Sequence, residues 1–320
     1  MTWAILALPS VASPSGHLLR VGILEPFAPS FDPVSNPSHR AFVEGLRELG
    51  YAPGRDVVFE YRSALGGGSA ELAKAASELL AAKVDVLVAA GPRPILAATQ
   101  ATTTVPIVMV RGADVVETGL IASLARPGRN LTGLAVNAAE IAAKRVQLLK
   151  EAVPGLSRVA VLWNAALPSM TLEFQNIEQA SPTLGVTVQS VRVGGSSELD
   201  QAFAAIAGGH AQGLVVLFGP LRGDDLSRIV EFTASHLLPT IFELGQGVRG
   251  GGLMEFGPSN VQMFHRAAAF VDKIANGADP AAIPVEEPTS FELVINLKVA
   301  KALGLAIPQT LLGRADKVIE

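Results

Sequence analysis

From Leu19 onward the chain alternates short β-branched runs with longer stretches whose apolar residues recur every three or four positions, and this rhythm limits the fold more than any other feature. Parallel strands cannot be joined by a tight hairpin and need a crossover helix, so such alternation predicts parallel sheets flanked by helices. "RVGIL" (20–24) reads as a strand. "SHRAFVEGLRELG" (38–50) reads as a helix with Ala41, Phe42, Leu46 and Leu49 on one face and Gly50 at its end. "DVVFEYR" (56–62), a helix over 69–83 with Ser69 as its N-cap, "DVLVAA" (85–90), a helix over 93–101 and "PIVMV" (106–110) continue the pattern.

A second half repeats it. A helix over 138–154 ends at a proline and leads to "RVAVLWN" (158–164), followed by helices over 168–184, 197–207 and 223–236. These alternate with "TVQSVRV" (187–193), "GLVVLF" (213–218) and "PTIFEL" (239–244). One more set follows: "GGLMEFG" (251–257), a helix over 258–276 and "FELVINLKVAKALGL" (291–305). The expected fold is α/β, two doubly wound parallel-sheet lobes joined by a multi-segment hinge near 127–137, 250–258 and 278–292. Lobe 1 would hold 19–132 and 257–288, and lobe 2 would hold 133–256 and 289–320. "ARPGRNLTGLAVN" (125–137) is the clearest hinge candidate, since Gly128 and Gly133 can absorb backbone rotation and Asn130 tolerates left-handed geometry. The alternative is an ordinary connection inside one large domain.

Composition excludes several function classes. With 49% hydrophobic and 17% charged residues over 320 positions, the chain can bury large cores. A net charge of −4 without long runs of one sign leaves no basic stripe for a phosphate backbone, so nucleic acid is not an expected partner. The absence of cysteine rules out disulfides, thiolate zinc sites and a cysteine nucleophile. His17, His39, His210, His236 and His265 form no paired metal spacing and read as surface or helix-end residues, so neither metal nor cofactor is expected. No apolar run reaches the roughly 20 residues that span a bilayer as a helix. Residues 1–18, with an apolar stretch from Trp3 to Leu8 and small Ser10 and Ala12, read as a signal-peptide remnant or a disordered tail.

The apparent cofactor motif "GQGVRG" (245–250) follows a strand but precedes strand-like "LMEF" instead of a helix, so it offers no helix N-terminus to a pyrophosphate. "GGGS" (66–69) lacks the Lys-Ser/Thr pair of a phosphate loop. No nucleophile elbow or triad is present. Ligands of open α/β sheets lie beyond the carboxyl ends of the strands, and two such edges facing each other form a cleft. Lobe 1 brings Glu25, Gly91, Pro92, Arg111 and Asp114 to it. Lobe 2 brings Asn137, Trp163, Asn164, Phe218, Glu243 and Phe256. Arg111 is placed to clamp a carboxylate, Trp163 and Phe218 to pack an organic body, Glu243 to pair an amine, and Asn137 and Asn164 to bond polar groups. Each has a bland alternative: Trp163, Phe218 and Phe256 as core, Arg111 paired to Asp114.

Taken together, "FVEGLRELGY", "IASLARPGRNLTGL", "LLKEAVPGLSRVAVLWN", "GGLMEFGPS" and the segment from 267 to 320 resemble the substrate-binding proteins of ABC transporters, of the TrpX-like type, over Leu19 to Glu320. The resemblance implies a type I periplasmic-binding-protein fold and export to the periplasm. It also implies capture of a small solute between the lobes, delivery to an inner-membrane ABC permease with its ATPase, and no catalysis; a monomer is expected. Departures fall in the cleft, where Arg93, Arg111 and Glu255 make this chain more charged than the family pattern. Two other readings remain open: an α/β enzyme using Glu25, Asp114 or Glu243 as acid and base, and a ligand-sensing regulatory domain.

Overall fold

The computed structural model describes residues 18–26, 29–64, 68–217, 223–243, 245, 247–248 and 250–320. In the first lobe β1 (Leu19–Glu25), α1 (Pro37–Glu48), β2 (Val57–Ser63), α2 (Ser69–Ala81), β3 (Val86–Ala90), α3 (Pro92–Ala101), β4 (Ile107–Ala113) and β5 (Leu131–Val136) follow one another. Their strands form an all-parallel sheet in the order β2-β1-β3-β4-β5. Its central strands are apolar on both sides, as a sheet covered twice requires. Val108 and Val110 of β4 face one buried cluster while Ile107 and Met109 face the other.

The second lobe is built from α4 (Ala138–Ala152), β6 (Arg158–Trp163), α5 (Pro168–Leu184), β7 (Thr187–Arg192), α6 (Leu199–Gly208), β8 (Gly213–Val216), α7 (Gly223–Ser235), β9 (Thr240–Phe242) and β10 (Met254–Pro258). The chain then makes α8 (Asn260–Ala275), β11 (Phe291–Asn296), α9 (Leu297–Ala302), α10 (Gln309–Leu312) and β12 (Lys317–Ile319). The second sheet runs β12-β11-β10-β9-β8-β6-β7, with only β10–β11 antiparallel. Read from its other edge, β7-β6-β8-β9-β10 has the same winding as the first sheet.

The lobes exchange a helix. After β5, the fifth strand of lobe 1, the chain enters α4, which packs on α5 in lobe 2; after β10, the fifth strand of lobe 2, it returns as α8, which packs on α1 in lobe 1. Gly45 permits that return, because a Cβ there would lie 2.7 Å from the carbonyl oxygen of His265. Each crossing is marked by a cap: Asn137 accepts from the Glu140 N–H at the start of α4, and Ser259 from the Gln262 N–H at the start of α8.

The topology corrects several expectations. Irregular backbone through 127–137 is not found, since 131–136 is strand β5, and the expected lobe boundary at 133 cuts through it; the chain leaves the first sheet at Asn137. Gly133 has φ of 124°, and a Cβ on it would collide with the Met109 backbone, so its role is close strand approach. The second crossing lies at Ser259 instead of spanning 250–258, because 254–258 is β10. In the third, residues 283–286 run along the edge of β5, where the Ala135 N–H donates to the Glu286 carbonyl and the Glu286 N–H to that of Gly133. At α2 the N-cap is Gly68 and Ser69 is already helical.

Candidate functional site

The carboxyl ends of β3, β4, β5 and β9 meet at a cavity between the lobes, closed on the lobe 2 side by α4 and α5. Gly91, with φ of 94°, turns the chain from β3 into α3 and sets Pro92, at the start of that helix, in the wall. At the end of β4 the backbone is strained: pairing with β5 shifts register between Met109 and Gly112, and Arg111 and Asp114 hold φ of 63° and 46°. Lys83, His210 and Leu237 share this geometry but sit in turns that end helices, where it is common. Left-handed geometry at an arginine and an aspartate costs of order 1–3 kcal/mol each and accumulates where a site demands it.

Arg111 reaches across the cleft. Its Nη1 donates to Oδ1 of Asn260 at 3.1 Å, at the second crossing, and its Nη2 lies 3.8 Å from Glu243 Oε1 at the end of β9. Asp114 Oδ1 accepts from the Ala139 N–H in the first turn of α4, at 3.3 Å. Its Oδ2 is buried without a hydrogen-bond partner, and burial pushes its pKa up to about 6.

Lobe 2 contributes two charges absent from the sequence-derived site. Ala138, Ile141 and Arg145 lie along one face of α4, and all three line the cavity. Arg145 is only 2% exposed; its Nε donates to the Phe256 carbonyl at 2.9 Å, while Nη1 has no hydrogen-bond partner. Glu173 on α5 lies 3.8 Å from that Nη1, too far for a hydrogen bond. Burial, reinforced by Glu243, pushes the Glu173 carboxyl up to about 8. Both residues were legible as anomalies: each falls on the apolar stripe of its helix, Arg145 between Ile141 and Leu149, Glu173 between Met170 and Ile177. A charge at such a position needs a partner or a function.

Of the expected site residues, Pro92, Arg111 and Glu243 line the cavity, with Gly91 and Asp114 beside them. Others are engaged elsewhere. Trp163 belongs to the lobe 2 core: it stacks on Phe174 at 4.7 Å, its Nε1 donates to Ser190 Oγ at 3.0 Å, and the Arg192 guanidinium lies over its ring. Its place at the strand end suggested the cleft, but its side of β6 faces the core shared with α4 and α5. Phe256 stacks on Phe291 and meets Arg145 through its carbonyl. Asn164 spends its Oδ1 on the Ala166 N–H, and Asn137 is an exposed N-cap. Phe218 lies outside the described residues.

Glu25 belongs to a separate buried network with His39, which stands at a helix end, in the first turn of α1. His39 has no exposed surface; its Nδ1 accepts from the Asp32 N–H, so Nε2 carries the proton donated to Glu25 Oε2 at 2.8 Å, and Tyr61 donates to the same oxygen. Glu255 accepts from the N–H groups of Gly245 and Val248 in the glycine-rich loop. Arg93 donates to Ser69 Oγ across the starts of α3 and α2, away from the cavity lining. Among the described residues no group of histidines and carboxylates is arranged to hold a metal, and no helix is long and apolar enough to cross a membrane.

The comparisons agree with this architecture. The family model described as "ABC transporter substrate binding protein" matches residues 32–319. A curated relative, the tyrosine-binding protein of Clostridioides difficile, is 23% identical over 280 residues, covering 85% of this chain and 78% of its own. Among solved structures, a conserved domain protein from Vibrio cholerae shares 23% identity with a TM-score of 0.84, covering 94% of this chain and all of its own. An ABC domain from Streptococcus pneumonia, solved in complex with L-Trp, shares 22% identity with the same TM-score and covers 95% of this chain and all of its own. Two sheets of like winding, exchanged helices and a charged cleft at the strand ends thus accompany a match along nearly the whole chain, and the protein belongs to the ABC transporter substrate-binding family.

Proposed function

We propose that this protein is the solute-binding component of an ABC importer, and that the cleft captures a small polar organic solute bearing a carboxylate. The observation that carries this reading is Arg111, held by strained backbone in lobe 1 and directed at Glu243 in lobe 2 across the cavity. A solute seated there touches both lobes, so its binding energy favours the closed form, which a transporter can recognise. Arg111 holds the carboxylate and Glu243 a positive or hydrogen-bond-donating group. The closed protein, exported to the periplasm, delivers the solute unchanged to a membrane permease driven by an ATPase. The likeness to tyrosine- and tryptophan-binding relatives supports an amino acid or a related acid as the cargo.

The raised carboxyls of Asp114 and Glu173 favour a second reading, since perturbed acids in a cleft also serve acid–base chemistry. One experiment separates the two: a thermal-shift screen against amino acids, organic acids, purines and sugars, with the compound recovered by mass spectrometry. A ligand at a hundred times its dissociation constant adds about 2.7 kcal/mol of stability. Stabilisation with the compound recovered intact supports capture; consumption of the compound refutes it.

A further inference from the structure

We infer that the solute is a compact aliphatic α-amino acid, read by Arg145 and Glu173 as a pair: Arg145 takes its carboxylate together with Arg111, and Glu173 takes its amino group together with Glu243. This rests on the cleft being the solute site and narrows the solute class. Arg145 is a buried residue of the cavity wall, its Nη1 has no hydrogen-bond partner among the described residues, and the carboxylate of Glu173 lies 3.8 Å from it. A buried donor left in this state costs free energy that an incoming acceptor recovers. Glu173 and Glu243 stand in the opposite condition, two carboxyls on one cavity, where the charge of Glu243 opposes the ionisation of Glu173. A cation between them relieves that opposition. An acceptor and a cation side by side on one small molecule describe an α-amino acid, whereas a plain carboxylate satisfies the arginines and leaves the glutamates opposed.

The remaining lining sets the size and character of the side chain. Among the described residues of the wall, Pro92, Ala113, Val136, Ala138 and Ile141 are compact and aliphatic, and two of the three aromatic rings expected of the cleft, Trp163 and Phe256, are stacked on Phe174 and Phe291. The wall therefore suits a short branched body better than an indole or a phenol, unlike the ligands named for the relatives.

Capture also moves a proton. Glu173 is faced by Arg145 from α4, Arg111 and Asp114 from the β4 edge and Glu243 from the end of β9, and burial pushes its carboxyl up to about 8. An ammonium group at Glu173 favours the carboxylate, so binding at pH 7 releases up to one proton to the buffer.

Isothermal titration of the full chain with valine, isovalerate, isobutylamine, phenylalanine and tryptophan, in phosphate and in Tris, tests the inference. Expected are valine binding at least tenfold more tightly than the other four, and an enthalpy that depends on buffer. In E173Q the buffer dependence should vanish and valine affinity fall at least tenfold, and R145K should weaken valine similarly. Unliganded melting curves on both variants check folding, and the ligand series on the unmodified chain decides the matter even if neither variant folds. Equal or tighter binding of isovalerate, or of tryptophan, overturns the inference. So does an E173Q variant that binds valine as well as the parent, which would make Glu173 a neutral donor or a structural group. If valine fails but an organic acid or sugar binds and loses affinity in R111A, the amino-acid assignment is wrong while the capture reading stands; if nothing in the wider screen binds, both fall.

Discussion

The two lobes each wind five strands in the same order yet build the cleft by different means. Lobe 1 uses backbone: a register shift in β4 and left-handed geometry at Arg111 and Asp114 aim side chains that ordinary strand geometry would send elsewhere. Lobe 2 uses helices, placing Arg145 and Glu173 on the buried faces of α4 and α5, where packing fixes their direction and burial sets their charge. One topology can thus supply a binding wall either from a strained strand end or from charges embedded in a helix interface. The cost falls in different places, as local strain in lobe 1 and as desolvation in lobe 2.

Four substitutions or conditions sharpen that contrast. The largest effect belongs to the lobe 2 core: W163A removes a ring stacked on Phe174 and should destabilise the protein by about 3–5 kcal/mol in chemical denaturation. A loss below about 1 kcal/mol would return Trp163 to the cleft. In lobe 1, G133A places a Cβ against the Met109 backbone at a positive φ; overpacking of this kind costs about 1–3 kcal/mol, and unchanged stability would mean that the β4–β5 approach is looser than described.

Next comes R111A, which should weaken solute binding by at least ~1.5 kcal/mol, about tenfold, if the contact is charge-assisted. Its effect on the unliganded melting temperature should be small beside the loss of affinity, since one hydrogen bond to Asn260 and a 3.8 Å contact with Glu243 contribute modestly to the fold. Loss of stability without loss of affinity would make Arg111 a structural tie to Asn260.

The smallest effect is the pH response of the empty protein. Glu173 and Asp114 have folded-state pKa values raised to about 8 and about 6, so between those values and the ordinary carboxylate range the folded protein binds more protons than the unfolded chain. Their contribution therefore favours folding at low pH and is lost as pH rises through the folded values. The melting temperature should fall by a few degrees between pH 6 and pH 9, less so in E173Q. A flat profile shared by both proteins would place Glu173 in a wetter setting than the cavity wall.

Much of this was legible in the sequence. The βαβ rhythm and the helix over 168–184 follow from local period and from what comes next in the chain. Strand β5 was not legible, because "LTGLAV" carries a glycine and follows a proline- and glycine-rich stretch, so local signals favoured a loop; pairing with β4 decides its structure. The site divides the same way. Arg111 and Glu243 could be placed because strand ends face the cleft, whereas Trp163 at such an end turned inward.

The sequence by itself determined the alternation of elements and the apolar stripes of the helices, and with them the class of fold, because those patterns depend on residues near one another along the chain. Even the two anomalous charges, Arg145 and Glu173, are visible in it as breaks in a stripe. Only the tertiary structure decided that these charges face one cavity with Arg111 and Glu243, that His39 is sealed beside Glu25, and that the helices after β5 and β10 exchange lobes. Those outcomes depend on contacts between residues tens to hundreds of positions apart, where packing and desolvation act and local periodicity carries no information.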